Sequence, residues 1–290
     1  MSVGYCAVQW NRAKITYDAI LLAGIVLYIS MFLLVAARID PPKDPPAQID
    51  LLIRAFGSCA FIMLTIILAI GPLARLDRQF LPLLYNRRHF GVATFFVALA
   101  HAGFMLQRYA VQGNLPDLVS ELTTWADYGK FIGFPFKVLG IAALLVLFLM
   151  AATSHDFWLA FLGPPVWKAL HMALYVAYGL VVMHVALGIM QYEHTMLIPA
   201  MLIGGFTGVT VLHLVAGWRE RDGDQGTAAR DGWIAVGAPH AIPDKRAHIV
   251  AAPGGERIAV FRDGALIGAL TNLCAHQNGP IGEAALSMVS

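Results

Sequence analysis

Residues 169–192 form an unbroken apolar stretch without Asp, Glu, Lys or Arg, and yet they carry two histidines, His171 and His184. A stretch of this length crosses a hydrocarbon core as one helix, which takes about 20 apolar residues. A titratable ring inside that core is costly unless it is paired, so both histidines are functional candidates. They lie thirteen residues apart, roughly 20 Å along a helix axis, and so at different membrane depths. Each needs a partner from another helix.

Five further stretches reach bilayer length: residues 17–37, 55–74, 90–107, 131–153 and 195–218. With 58% hydrophobic and only 13% charged residues, the chain reads as a polytopic membrane protein and not as a soluble domain. Its 20 Lys+Arg against 18 Asp+Glu leave no polyanion-binding excess, which argues against a nucleic-acid partner. Cys6, Cys59 and Cys274 are scattered and form no disulfide framework. The first stretch runs straight into Arg38 and Asp40 without a small-residue cleavage pattern, so it is read as a retained helix.

Six spans put Arg12, Lys14, Arg75, Arg78, Arg87, Arg88, Arg219 and Arg221 on one side. Their basic excess makes that side the cytoplasm, with both termini there, and the inner membrane of a bacterium is the expected location. Residues 1–16 precede the bundle, residues 17–218 form it, and residues 219–232 are a charged, glycine-containing linker. Residues 233–290 then change character. Short strand candidates at 234–236, 248–251, 257–262 and 265–271 are separated by turn residues, and Arg262-Asp263-Gly264 is a hairpin signal. The expected fold is an all-α six-helix transmembrane bundle followed by a small, incomplete all-β domain.

Partners for the two histidines come from depth. Spans three and five run in the same direction, and His101 lies eleven residues inside the third while His184 lies fifteen inside the fifth. The rise per residue therefore matches His184 to His101. His171 sits nearer the cytoplasmic side, where His89 and His213 compete as its partner, or where it has none. Two facing imidazoles at one level inside a helix bundle provide the axial nitrogens that a b-type haem requires. A second layer roughly 18–20 Å away would complete an electron path across the bilayer. The plainer alternative for any one of these rings is a hydrogen bond to a neighbouring helix, or for His89 a solvated interfacial position.

The run Thr153-Ser154, Leu162-Gly163, Trp167, Leu170-His171, Tyr175 and His184, preceded by Gly71-Pro72-Leu73, Arg87-Arg88 and Gly91, resembles the ferric reductase-like transmembrane domain. That superfamily includes the haem-binding membrane subunit of bacterial periplasmic methionine sulfoxide reductase systems, iron-reducing membrane enzymes and NADPH oxidases. The resemblance covers roughly residues 50–218. It implies a six-helix bundle with His101 and His184 as haem ligands and His171 as a ligand or haem-contacting residue. Two-haem members carry a second histidine deeper in span three, where this chain has Leu115, so one haem or two stays open.

Cys274-Ala275-His276, within residues 272–283, resembles the first ligand loop of a Rieske domain. A [2Fe–2S] centre of that type takes two thiolates and two imidazoles, and this loop supplies one of each. No cysteine follows Cys274, so the expectation is half a site, able to hold a cluster only where the second ligand loop is supplied. No Gly-x-Gly-x-x-Gly fingerprint is present, which argues against direct nicotinamide oxidation. The expected function is transmembrane electron transfer from a cytoplasmic donor, through a Rieske-type domain in the intact form and then b haem, to an acceptor or reductase on the opposite face. Two alternatives are a non-enzymatic haem-bearing subunit of a periplasmic reductase and a proton-linked transporter.

Overall fold

The apolar stretches fold as long helices: α1 Arg12–Ile39, α2 Pro45–Leu76, α3 Leu81–Val111, α7 Pro164–Leu187 and α8 Leu197–Gly223. The computed structural model describes residues 12–124, 127–191, 196–223, 233–252, 256–272 and 280–283. Among the described residues five helices are long and apolar enough to cross a membrane, and a bent pair raises the number to six if it counts as one span. The contacts divide the chain into two units, Met1–Ile70 with Asn86–Thr210, and Gly71–Tyr85 with Val211–Ser290.

The bent pair departs from the straight span expected over 131–153. Its first helix, α5 (Lys137–Ala152), starts late because Gly133 has a positive φ of 83° and Pro135 disfavours helical geometry in the residue before it. At the other end the hydroxyls of Thr153 and Ser154 donate to the carbonyls of Leu149 (2.7 Å) and Met150 (2.6 Å). The Trp167 indole N–H donates to the Thr153 carbonyl at 2.8 Å, which satisfies a terminal group that the helix itself leaves open. The chain then turns through 91° into α6 (Asp156–Leu162), whose first turn is capped by the His155 ring accepting from the Phe157 N–H. His155 is thus a capping residue.

A second departure lies between the stretches 90–107 and 131–153, where no element was expected. It contains α4 (Leu115–Thr123), started by Pro116 and Asp117 and burying none of its residues.

In the first unit α2 is the central helix. Phe61, Leu64 and Leu68 pack with Phe95 of α3, Leu147 of α5, Ala177 and Tyr178 of α7, and Leu202 of α8. The other side of α2, through Cys59 and Met63, meets Val97 of α3 and Leu21, Ile25 and Tyr28 of α1. Polar groups at these seams are paired: Tyr28 donates to Ser58 Oγ at 2.9 Å, and Thr65 and Tyr178 share a 3.3 Å hydrogen bond. The outward faces stay apolar, with Leu22, Leu27 and Leu34 of α1 all more than half exposed. Leucine rows of this kind suit a lipid environment, where only backbone-satisfied helices are tolerated.

The second unit carries a three-stranded antiparallel sheet in the order β1 (Ala247–Ala251), β2 (Arg257–Asp263), β3 (Leu266–Thr271). The hairpin expected at Asp263-Gly264 is present, with Gly264 at φ 59° and its N–H held by Asp244 Oδ1 at 2.8 Å. Residues 234–236 do not form the strand expected there. Gly237 at φ 106° and Pro239 end the extended run, and Val236 instead packs on Ile242, Val250 and Val260. Buried Asn272 closes the end of the sheet: its N–H donates to the Arg257 carbonyl, and its own carbonyl and side-chain oxygens accept from Ile281 and Gly282.

Candidate functional site

The depth-matched histidines meet. His101 of α3 and His184 of α7 stand with ring centres 6.4 Å apart and planes at 86°. Each ring is held the same way. His101 Nδ1 donates to the Ile53 carbonyl of α2 at 2.9 Å, and His184 Nδ1 donates to the Phe136 carbonyl, just ahead of α5, also at 2.9 Å. A carbonyl only accepts, so Nδ1 is the protonated nitrogen in both rings and each Nε2 keeps its lone pair.

The sequence makes room for this by one device used twice. Four residues after each accepting carbonyl stands a glycine, Gly57 after Ile53 and Gly140 after Phe136. In an α-helix that is the residue whose own N–H points at the same carbonyl. A Cβ on Gly57 would lie 2.9 Å from the His101 ring, and one on Gly140 would lie 2.8 Å from the His184 ring. Any side chain at either position would push the ring off its carbonyl.

The spacing suits a shared metal. A metal–imidazole bond of about 2.0–2.1 Å, with ring nitrogen to ring centre adding about 1.2 Å, separates two axial imidazole centres by about 6.4 Å, the distance found here. Among the described residues no cluster of three or more His, Cys, Asp or Glu is arranged to hold a metal ion.

His171 lies in a different setting. Its Nδ1 donates to the Trp167 carbonyl one turn back at 2.9 Å, and its ring stacks on Trp167 with centres 3.8 Å apart. Its Nε2 is buried with no hydrogen bond of normal geometry among the described residues. Arg88 of α3 lies 4.7 Å over Trp167 and forms an ion pair with Asp156 of α6. Residues quoted for the resemblance, Arg88, Thr153, Trp167 and His171, thus gather in one cluster.

His89 pairs instead with Asp18 of α1, its Nδ1 being 2.9 Å from both carboxylate oxygens. His213 is half-buried on α8 and belongs to the other compact unit. Cys274 and His276 lie outside the described residues. Sequence reading missed Gly57, Gly140 and the carbonyls of Ile53 and Phe136. Glycine within an apolar span was a visible signal, but its histidine partner is on another helix.

Residues 56–182 match the family described as ferric reductase like transmembrane component. That stretch contains His101 and His171 and ends two residues before His184. With its long apolar helices, the chain is an integral membrane protein. Among curated relatives, it is 34% identical over 137 residues to the protein-methionine-sulfoxide reductase heme-binding subunit MsrQ of Bordetella pertussis, covering 47% of this chain and 60% of MsrQ. It is 32% identical over 139 residues to magnetosome protein MamZ of Magnetospirillum gryphiswaldense, covering 48% of this chain and 20% of MamZ. The similarity therefore spans a fifth to three fifths of the relatives' length.

Proposed function

We propose that this chain carries electrons across a membrane through a b-type haem held by His101 and His184. The observation that carries the reading is the ring pair itself, 6.4 Å between centres with both Nδ1 atoms tied to carbonyls. The similarity to a heme-binding subunit supports it. A haem between these rings supplies a one-electron carrier. The residues do the rest: the carbonyls of Ile53 and Phe136 fix ring orientation and make each Nε2 a better donor. The similarity to a heme-binding subunit favours a carrier subunit that serves a separate reductase over a self-contained enzyme.

His171 is the candidate ligand of a second, inner haem layer, because its Nε2 is buried and its Nδ1 is tied to the Trp167 carbonyl. His89 is paired with Asp18, so the opposite ligand would be His213 or none. The basic segments around Arg75 and Arg87-Arg88 orient this layer toward the cytoplasm, and the His101–His184 pair toward the opposite face. On the cytoplasmic side the small sheet serves as the electron entrance. Cys274 and His276 would supply one thiolate and one imidazole to a [2Fe–2S] centre, provided that a second ligand pair is supplied.

The test is optical. Purified protein is expected to show a Soret band that shifts on dithionite reduction, lost in His101→Ala and in His184→Ala. His171→Ala halves the haem-to-protein ratio if there are two haems and leaves it unchanged if there is one. A chain with no reducible Soret band removes the haem reading and favours the transporter alternative. Iron and acid-labile sulfide analysis, with and without Cys274→Ser, tests the cluster.

A further inference from the structure

We propose that a carboxylate-binding pocket, built on Arg108 and Lys137, lies directly beyond the His101–His184 pair. A cavity of about 280 Å³ is lined by Asp50, Met105, Arg108, Tyr109, Phe136 and Lys137 among others. Met105 and Arg108 follow His101 by four and seven residues, on the same face of α3, so Arg108 stands about 10 Å along the axis from the ring. Phe136, whose carbonyl holds His184, forms the wall next to Lys137. The cavity thus begins where the candidate haem site ends.

Its polar groups are incompletely used. Arg108 donates through Nε to Asp50 Oδ1 at 2.8 Å, but its Nη1 is buried with no hydrogen-bond partner among the described residues. A buried guanidinium donor without an acceptor is unfavourable, and the planar fork suits two oxygens on one group. Lys137 is ion-paired to Glu121 of α4, and its ammonium lies 4.7 Å over the Phe136 ring and 5.6 Å over Tyr109. Tyr109 in turn donates to Glu121 at 2.9 Å. Each cation already answers one acid, so the site tolerates one added negative charge better than two. That favours a monocarboxylate over a phosphate dianion, with Met105 and Phe136 accommodating its apolar part.

Two sources share this chemistry. One is a propionate of the haem proposed above, and this arm rests on that proposal; the other is a small diffusible monocarboxylate. The full chain, as wild type, Arg108→Gln and Arg108→Lys, is loaded with haem or with haem dimethyl ester, and midpoint potentials are titrated spectrally. A propionate in the pocket predicts a lower potential in Arg108→Gln with native haem, restored in Arg108→Lys and absent with the ester. A diffusible ligand predicts benzoate binding by calorimetry to wild type with either haem, and at least tenfold weaker binding to Arg108→Gln. Equal potentials in all variants together with no benzoate binding overturn the pocket. If no form takes up haem, the earlier proposal falls and the benzoate titration alone decides this one.

Discussion

Two glycines decide what His101 and His184 can do. Replacing a helix-interior glycine by alanine ordinarily gains about 0.5–1 kcal/mol, since glycine is the more flexible residue in the unfolded chain. At Gly57 and Gly140 the sign reverses, because the new methyl would sit at 2.9 and 2.8 Å from a histidine ring. Gly140→Ala is expected to lower both haem occupancy and melting temperature. Gly103→Ala, where nothing lies within 4 Å, leaves occupancy unchanged and raises the melting temperature slightly. The Soret-to-protein ratio and a thermal melt in detergent read both, and normal haem loading in Gly140→Ala would count against the ring geometry.

Among the elements, the corner between α5 and α6 is the most exacting. Sixteen residues in α5 give about 24 Å of helix, short of the about 30 Å of a hydrocarbon core, so its end must be satisfied by the protein. Trp167→Phe keeps the stack on His171 but removes the donor to the Thr153 carbonyl. The expected cost is about 1 kcal/mol, visible as a lower melting temperature with the haem spectrum retained. Asp156→Asn removes the charge facing Arg88, both side chains being partly exposed, and is expected to cost about 1–2 kcal/mol. Sequence showed the apolar run here but not the corner, because hydropathy registers composition, whereas the break comes from Pro135 at one end and back-bonded Thr153 and Ser154 at the other. α4 escaped for a related reason: nine residues that bury nothing carry little periodic signal.

For the molecule as a whole, the division into two units bears on function. The histidine pair and all four groups that hold it lie within Met1–Ile70 and Asn86–Thr210. Removing residues 224–290 is therefore expected to leave the Soret band and its reduction shift intact while abolishing reduction by a cytoplasmic donor extract. Loss of haem in that truncation would tie the small sheet to the site's stability. Orientation is open to a direct reading: reporters fused after Gly223 are expected to be active on the cytoplasmic side, and reporters inserted at residue 113 on the other.

The sequence by itself determined that the chain lives in a membrane, how many apolar stretches it has, and which histidines match in depth. These follow from length, hydropathy and a fixed rise per residue, all local properties of the chain. It also carried the hairpin, whose Asp-Gly turn is local chemistry. Only the tertiary structure decided that His101 and His184 meet while His89 turns to Asp18, that two glycines on other helices seat the rings, and that Arg108 keeps an unused donor beside them. Each of those depends on which faces of separate helices come together, and the order of residues along one helix does not say which residue of another it will meet.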